Sequence, residues 1–284
     1  MLYFAGLDIG STMTKVVILS DDGNPISIVK GPTGPEHRSL ASEVMHTGLS
    51  QASLRLNEID FIVATGYGRF NVPFADRQIT ELTCHVTGVH SLFPDSRTVI
   101  DIGGQDAKCM KIENGKLGDF VMNDKCAAGT GRFLDVMATA LGLKVEDLGR
   151  ISLQSTREIQ ISNICTIFAQ QEVVSRLSEG ESLENILAGL HTALAARVAA
   201  LAERLRIESS VVLTGGVAKN VGIVRAMRER IGHDLLIPQE PLITGALGAA
   251  LLAKRYMLIA IENGTPVVTS QRHLDKTTIL YGEC

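Results

Sequence analysis

The sequence predicts an α/β protein of two domains, and three observations carry this prediction. The chain has 284 residues, more than one compact core of ordinary size needs. Hydrophobic residues make up 45% and charged residues 20% of it, the balance of a globular protein without long disordered segments. A pattern of strand, glycine-containing turn and second strand occurs twice, about one domain apart, which indicates an internal duplication of the fold.

The first copy of this pattern lies at the N-terminus. Apolar runs predict strands at residues 2–9 and 15–19, joined by the turn Gly10-Ser11-Thr12. The run Asp21-Asp22-Gly23-Asn24 is a strong hairpin signal, so a third strand is predicted at 25–30. The elements predicted next are a helix over 37–57, a buried strand at 60–65 and a helix around 79–89.

The second copy has a strand at 98–102, the turn Gly103-Gly104-Gln105-Asp106 and a returning strand at 107–112. In both copies the first strand carries an aspartate just before the turn, in Leu-Asp-Ile-Gly-Ser at 7–11 and Ile-Asp-Ile-Gly-Gly at 100–104. The elements predicted afterwards are helices over 130–141, 163–177 and 183–205, a strand at 210–213, a turn at Gly215-Gly216, and helices over 218–231 and 244–256.

These elements predict the domain boundaries. The first domain comprises residues 1–96 together with about 243–260, and the second comprises residues 97–242. Residues 261–284 are predicted to form a C-terminal tail.

Composition excludes several classes of function. The formal net charge is −4 and the chain has no Trp, so neither a basic face nor a base-stacking surface for nucleic acid is expected. The N-terminus has no basic flank and Asp8 interrupts its apolar run, so no signal peptide is predicted. The apolar stretch at 246–253 is too short to span a bilayer. A cytoplasmic protein that contacts no membrane is therefore expected.

The two glycine turns have the chemistry of phosphate loops. Glycine allows the backbone to approach a phosphate and to point N–H groups at it. Asp8 and Asp101 could hold Mg²⁺ directly or through water, and Lys15 adds a cationic contact to the hydroxyls of Ser11 and Thr12. Either turn alone fits an ordinary hairpin equally well, but the pair provides one side each of a phosphate cleft. The sequence has neither a GxxxxGK[ST] nor a GxGxxG motif, which excludes P-loop and Rossmann sites.

Three segments together resemble the actin/hexokinase/heat-shock-70 superfamily. Asp8–Lys15 is similar to its first phosphate motif, Asp101–Lys108 to the second, and Leu213–Asn220 to its adenosine motif. The resemblance covers roughly residues 1–255 and implies two ribonuclease-H-like (actin-like ATPase) domains with ATP or ADP and Mg²⁺ in the interdomain cleft. The residues predicted to be catalytic are Asp8, Asp101 and Gln105, with Gln105 holding the attacking water or the metal's water shell. The residues predicted to bind nucleotide are Gly10, Ser11, Thr12, Thr14, Lys15, Gly103, Gly104, Asp106, Gly129, Thr130, Gly215, Gly216, Val217, Asn220, Gln239 and Gly245.

Two of the five cysteines precede or open predicted helices. Cys126 lies just before the helix predicted at 130–141, and Ser162-Asn163 is a good N-cap pair that would place Cys165 in the first turn of the next helix. Helix N-termini lower thiol pKa values and favour anionic groups such as a thiolate-bound iron–sulfur cluster. The alternative is that both are small buried hydrophobes. Two thiolates cannot complete a four-thiolate cluster, but a symmetric dimer would supply four.

A longer match favours the cluster. Asp101–Lys108, with Asn123-Asp-Lys-Cys-Ala-Ala-Gly-Thr-Gly-Arg-Phe-Leu134, closely resembles the ATP-dependent activators of 2-hydroxyacyl-CoA dehydratases and the related benzoyl-CoA reductase subunits. The resemblance implies a homodimer, or a pseudo-dimer with a paralogue, that shares one [4Fe-4S] cluster through Cys126 and Cys165. It also implies an electron from ferredoxin or flavodoxin, domain closure on MgATP, and electron delivery to an iron–sulfur dehydratase or reductase of anaerobic metabolism.

The remaining cysteines and the histidines are given structural roles. Cys84 in a helix and Cys109 in a strand are predicted to be packing residues, Cys284 is predicted to be exposed at the chain end, and the seven histidines have no metal-ligand spacing.

Two rival functions stay open. A sugar kinase on the same fold would need a general base, and no residue stands out in its context, although the spacing leaves Asp124 and Asp135 open. A filament-forming module of the actin type would couple nucleotide to polymerisation instead.

Overall fold

The computed structural model describes residues 1–267 and 272–275. The strands are β1 (Tyr3–Ile9), β2 (Met13–Ser20), β3 (Pro25–Pro32), β4 (Phe61–Thr65), β5 (Arg77–Gln78), β6 (Thr98–Ile102), β7 (Ala107–Glu113), β8 (Lys116–Asn123), β9 (Val211–Thr214) and β10 (Leu235–Leu236). The helices are α1 (His37–Ala52), α2 (Glu81–Leu92), α3 (Gly131–Leu141), α4 (Val145–Ser152), α5 (Thr166–Ser178), α6 (Leu183–Glu203), α7 (Val221–Ile231) and α8 (Thr244–Glu262).

The chain divides into two compact units. Unit one contains Met1–Pro94 and the chain from Leu242 onward, and unit two contains Asp95–Pro241. Each unit holds one five-stranded mixed sheet with helices packed on it. The predicted α/β class is therefore confirmed.

The sheet of unit one has the order β3-β2-β1-β4-β5, with the first two pairings antiparallel and the last two parallel. Both of its faces are covered. Ala5, Leu7 and Ile9 of β1 share one apolar cluster with α1, whereas Phe4 belongs to a second cluster with α8. This division follows from the pleat, which turns successive side chains to opposite faces.

The sheet of unit two has the order β10-β9-β6-β7-β8 and repeats the same pairing pattern. Its apolar cluster includes Ile100 and Ile102 of β6 together with side chains of α6 and α7. The duplication extends to register: Asp8 lies opposite Lys15 and beside Thr65, as Asp101 lies opposite Lys108 and beside Thr214. The duplication of the fold that the two hairpins indicate is thus a duplication of a whole sheet.

The structure also contains elements that the sequence patterns did not predict. They are the short edge strands β5 and β10, the strand β8 after the second hairpin, and the helix α4. Helix α1 ends at Ala52, five residues before the predicted end, because Ser53 adopts a left-handed C-cap conformation. Helix α8 continues to Glu262 instead of ending near residue 256.

Within the part of the chain that the structure describes, two helices are long and apolar enough to cross a membrane by length and composition alone. They are α6 and α8, and 67% and 50% of their apolar windows are buried within the protein. The apolar stretch predicted at 246–253 is thus part of a longer helix, and its buried side chains pack on the sheet of unit one.

Part of the predicted tail packs on unit one. The guanidinium of Arg272 is buried and makes an ion pair with Asp76, with an Nη2–Oδ2 distance of 2.6 Å, and also donates to the carbonyl of Ile59. Asp275 pairs with Arg38 at the start of α1. Cys284 lies outside the described residues.

Glycines permit the close approach of α8 to α2. A Cβ on Gly248 would overlap the carbonyl oxygen of Cys84, and a Cβ on Gly88 would overlap the carbonyl oxygen of Thr244. We expect Gly248→Ala to lower the free energy of unfolding by about 2 kcal/mol or more, because the new Cβ would overlap packed backbone atoms of Cys84 and Gly88. Gly34→Ala is the matched control, since a Cβ there meets nothing within 4 Å. Urea unfolding of both variants checks this, and equal stabilities would contradict the packing argument.

Candidate functional site

The first phosphate loop follows a buried ion pair. Asp8 near the end of β1 is buried, and its Oδ2 lies 3.0 Å from the Nζ of Lys15 on the neighbouring strand. The amide of Gly10 donates to the carbonyl of Met13 at 3.1 Å, which closes the turn. Ser11 is half-buried and Thr12 is exposed at the tip of this turn, while the buried Thr14 bonds through its hydroxyl to Thr33.

Two glycines crowd the Asp8 carboxylate. A Cβ on Gly66, which has φ +84°, would lie 2.5 Å from Asp8 Oδ1. A Cβ on Gly245 would lie 3.1 Å from Asp8 Oδ2. A side chain is thus excluded at Gly66 and would be tightly packed at Gly245, which was predicted from the sequence as a site residue. Gly66 was not, although its Thr-Gly-Tyr-Gly segment begins at the last residue of the buried strand β4.

The second phosphate loop repeats this chemistry in unit two. The Nζ of Lys108 lies 3.7 Å from Asp101 Oδ2 and 2.8 Å from Asp106 Oδ1, and Thr214 donates its hydroxyl to Asp101 Oδ1 at 2.8 Å. Asp101 and Lys108 are both buried. Gln105 is exposed at the turn.

Helix α3 begins on this second loop. The amide of Gly131 donates to the carbonyl of Gly103 at 2.8 Å, and the amide of Arg132 donates to the carbonyl of Gly104 at 2.7 Å. The first-turn amides of a helix have no partner within the helix, so the loop carbonyls satisfy them. The geometry of the loop and the position of the helix start are therefore coupled.

The predicted adenosine segment is a tight turn after β9. Gly215 has φ +86°, and a Cβ there would overlap the backbone of Ile102. Its amide donates to the carbonyl of Pro241 at 3.0 Å, and the turn continues as a single 3₁₀ turn over Gly216–Lys219, in which Val217 is buried. Lys219 pairs with Glu240 at 2.9 Å, beside the exposed Gln239.

The side chain of Asn220 is held by the protein itself. Its Oδ1 accepts from the amide of Ile223 at 3.0 Å and caps α7, and its Nδ2 lies 3.3 Å from Nε2 of His191. The hydroxyl of Ser152 donates to Gly149 and lies 2.9 Å from His191 Nδ1. Since Asn220 donates to Nε2, the histidine carries its proton on Nδ1 and donates to Ser152. The helix predicted from 218 accordingly begins at Val221.

The Cys126 segment is a turn organised by one asparagine. The amide nitrogen of the Asn123 side chain donates to the carbonyls of Cys126 at 2.9 Å and Ala128 at 3.2 Å, and its oxygen accepts from the Cys126 amide. Thr130 is fully buried and donates its hydroxyl to Ala127. Gly129 has φ +91°. The turn leaves the Cys126 thiol free and half-buried, five residues before α3 begins.

The predicted position of Cys165 needs a correction. Helix α5 begins at Thr166, and Cys165 is its N-cap with extended backbone angles, so it does not lie in the first turn. The N-cap is therefore neither Ser162 nor Asn163, and the amide of Ser162 donates to the carboxylate of Glu172 at 2.9 Å. Cys165 is free and half-buried, and the hydroxyl of its neighbour Thr166 is buried without a hydrogen-bond partner.

Arg197 of α6 contacts both cysteine segments and was not predicted from the sequence. Its guanidinium donates to the carbonyl of Asn163 at 3.1 Å. Its aliphatic carbons pack on Gly129, where a Cβ would lie 3.3–3.6 Å from them. Arg197 thereby joins the loop before α5 to the turn after Cys126.

Apolar side chains are exposed around Cys165. Ile164, Ile167 and Phe168 are 71%, 63% and 60% exposed. Exposed apolar patches on soluble proteins commonly mark interaction sites. Among the described residues, no three His, Cys, Asp or Glu side chains group as ligands for one metal ion.

The other described cysteines are packing residues. Cys84 and Cys109 are fully buried, and burial raises the pKa of each thiol to about 12. Of the carboxylates considered for a kinase, Asp124 is exposed and Asp135 is half-buried.

Two duplicated sheets, each with a buried Asp–Lys pair and glycine turns, define an ATPase fold of the actin-like class. The solved 2-hydroxyisocaproyl-CoA dehydratase activator of Clostridium difficile with bound ADPNP has this architecture, with a TM-score of 0.87 and 46% identity over 94% of this chain and all of that one. The model of the BadF/BadG/BcrA/BcrD ATPase family matches residues 5–253, and the chain belongs to this family. The resemblance noted in the sequence is confirmed.

Two relatives match most of this chain. The 2-hydroxyisocaproyl-CoA dehydratase activator of Clostridioides difficile is 50% identical over 258 residues, covering 89% of this chain and 95% of the relative. A benzoyl-CoA reductase subunit of Thauera aromatica is 32% identical over 263 residues, covering 88% of this chain and 93% of the relative.

The buried His191 makes stability depend on pH. Burial lowers its pKa from 6.5 to about 4, so between these values the unfolded chain binds a proton that the folded chain excludes. Stability is therefore lost as the pH falls below 6.5, by about 2 kcal/mol at pH 5. In urea unfolding, the free energy of unfolding of His191→Gln should fall between pH 7 and pH 5 by about 2 kcal/mol less than that of the wild type. His46→Gln, at an exposed position, serves as control, and equal pH dependence of all three proteins would contradict the assignment.

Proposed function

We propose that this protein is an ATP-driven activator that delivers one electron to an iron–sulfur dehydratase or reductase acting on a CoA thioester. It acts in the cytoplasm as a homodimer, or with a paralogous subunit, and receives its electron from ferredoxin or flavodoxin. A [4Fe-4S] cluster shared by the two subunits stores the electron. The names of the relatives, which are dehydratase activators and a reductase subunit, support this assignment.

One observation within unit two carries the proposal. The amides of Gly131 and Arg132 are bonded to the carbonyls of the second phosphate loop, and the Cys126 turn leads directly into the same helix start. A change of that loop on binding or losing the γ-phosphate would therefore shift α3 and the Cys126 segment. Such a connection couples nucleotide to a redox site without any contact between the two ligands.

The chemistry of the nucleotide residues fits MgATP. Asp8 and Asp101 each supply the carboxylate oxygens that Mg²⁺ prefers, and each lies beside a lysine, Lys15 or Lys108. The lysines also place positive charge at the two turns, where β- and γ-phosphates would bind. Gln105, exposed at the second turn, is the proposed holder of the attacking water.

We propose fewer side-chain contacts with adenosine than the sequence predicts. The side chain of Asn220 is occupied by the cap of α7 and by His191. We therefore propose only backbone contact between this residue and adenosine.

The cysteines fit a cluster shared by two chains. Cys126 and Cys165 are free, half-buried thiols, whereas Cys84 and Cys109 are buried with raised pKa values. When bound, the cluster would supply a one-electron redox centre. Cys126 and Cys165 would provide two thiolates per chain, and the Thr166 hydroxyl, buried without a partner, would have a sulfur acceptor beside it.

The surface around Cys165 supports self-association. Ile164, Ile167 and Phe168 expose their apolar side chains on the same chain segment as the thiol. A second copy related by a two-fold axis would present the same residues. Its contact would bury these side chains and bring four thiols together.

Removal of one thiol tests the cluster. We expect roughly two irons per chain after anaerobic purification and reconstitution, with an EPR spectrum of the reduced protein that changes on addition of MgATP. Cys126→Ala should bind no cluster because one ligand of each chain is lost, whereas Cys84→Ala, which removes a buried thiol, should retain it. Iron retained in Cys126→Ala would refute the assignment. Absence of iron from the wild type, with ATP turnover dependent on a sugar, would favour a kinase.

A charge on the apolar surface tests the dimer. Phe168→Asp should shift the protein from dimer to monomer in sedimentation equilibrium, because the interface would have to bury an unpaired carboxylate. Leu258→Asp is the matched control, since Leu258 is a partly exposed apolar residue of another helix. A Phe168→Asp protein that remains dimeric would place the interface elsewhere.

A further inference from the structure

His85 is a buried residue of α2 that neither the sequence patterns nor the proposed function has used. Its side chain belongs to unit one and is 7% exposed. Its Nδ1 lies 2.9 Å from the hydroxyl oxygen of Thr244, the first residue of α8. The histidine is thereby held by a second helix.

The other nitrogen of His85 faces the Asp8 carboxylate. A Cβ placed on Gly245 would lie 3.2 Å from His85 Nε2 and 3.1 Å from Asp8 Oδ2. Both atoms therefore border the same small space, into which a side chain at residue 245 would project. That space lies on the Oδ2 side of the carboxylate, where Lys15 also binds.

The hydrogen-bonding groups around His85 determine which of its two nitrogens carries the proton. An ionised carboxylate can only accept hydrogen bonds, whereas a hydroxyl can donate or accept and a neutral imidazole does one of each. With Asp8 on the Nε2 side, the favoured tautomer carries its proton on Nε2 and accepts at Nδ1 from Thr244. His85 then presents a donor to the side of Asp8 that Lys15 occupies.

We propose that His85 is a positioning residue for Asp8, oriented by Thr244 and acting through the space at Gly245. Together with Lys15 it holds Oδ2, which leaves Oδ1 towards the Gly10 turn, where a Cβ on Gly10 would lie 4.0 Å from it. Oδ1 is thus the oxygen that serves Mg²⁺ and its water shell. This inference rests on the proposed binding of MgATP by Asp8.

Two neutral substitutions of His85 distinguish a positioning role from a packing role. The glutamine of His85→Gln would keep a donor near the position of Nε2, whereas the asparagine of His85→Asn would keep a polar group only near Nδ1. We expect His85→Asn to need about tenfold more Mg²⁺ for half-maximal ATP binding and to lose about tenfold in kcat, as for other residues that orient metal ligands. His85→Gln should stay within about threefold of the wild type in both. ATP binding is measured by calorimetry across a Mg²⁺ titration, beside steady-state ATP hydrolysis.

Further variants keep the test decisive. Thr244→Val removes the hydroxyl that orients the ring, and should shift the Mg²⁺ requirement in the same direction as His85→Asn. His46→Asn, exposed on α1, is the control for substitution of a histidine. Unchanged Mg²⁺ dependence in both His85→Asn and Thr244→Val, or equal losses in His85→Asn and His85→Gln with lowered Tm, would overturn the positioning role. A wild type that neither binds nor hydrolyses MgATP would instead refute the proposed function.

Discussion

The buried pairing of an aspartate with a lysine across two antiparallel strands is the interaction on which each unit depends. Asp8 and Lys15 occupy facing positions of β1 and β2, and Asp101 and Lys108 occupy the equivalent positions of β6 and β7. Removing one partner of a buried pair typically costs about 3–5 kcal/mol, because an uncompensated charge remains inside. The pair therefore fixes the strand register as well as the charge at the turn that follows.

A glycine follows the neighbouring parallel strand in each unit, close to the strand that carries the aspartate. Gly66 follows Thr65 in unit one as Gly215 follows Thr214 in unit two, and both have positive φ angles. Each would clash with the end of the adjacent first strand if it carried a Cβ. The loops after β4 and β9 thus come as close to the phosphate turns as backbone atoms allow. This closeness excludes any side chain at Gly66 and Gly215.

Direct contacts also connect the second phosphate loop with the segments that carry Cys126 and Cys165. Helix α3 satisfies its first amides on the carbonyls of the second phosphate loop, and Arg197 connects the turn after Cys126 with the loop before Cys165. Movement of the phosphate loop would reach the cysteine segments through backbone hydrogen bonds and one packed side chain.

The sequence by itself determined the α/β class, the duplicated hairpins with an aspartate before each turn, and the packing roles of Cys84 and Cys109. These features are local, since they depend on periodicity, turn residues and residue spacing within a few positions. Tertiary structure decided the rest. The edge strands β5 and β10 have two residues each and take their conformation from the neighbouring strand. The N-cap of α5 is Cys165 rather than the Ser162-Asn163 pair that the local pattern favours. His85, Gly66 and Arg197 lie against residues distant in the chain, and such contacts leave no local pattern in the sequence.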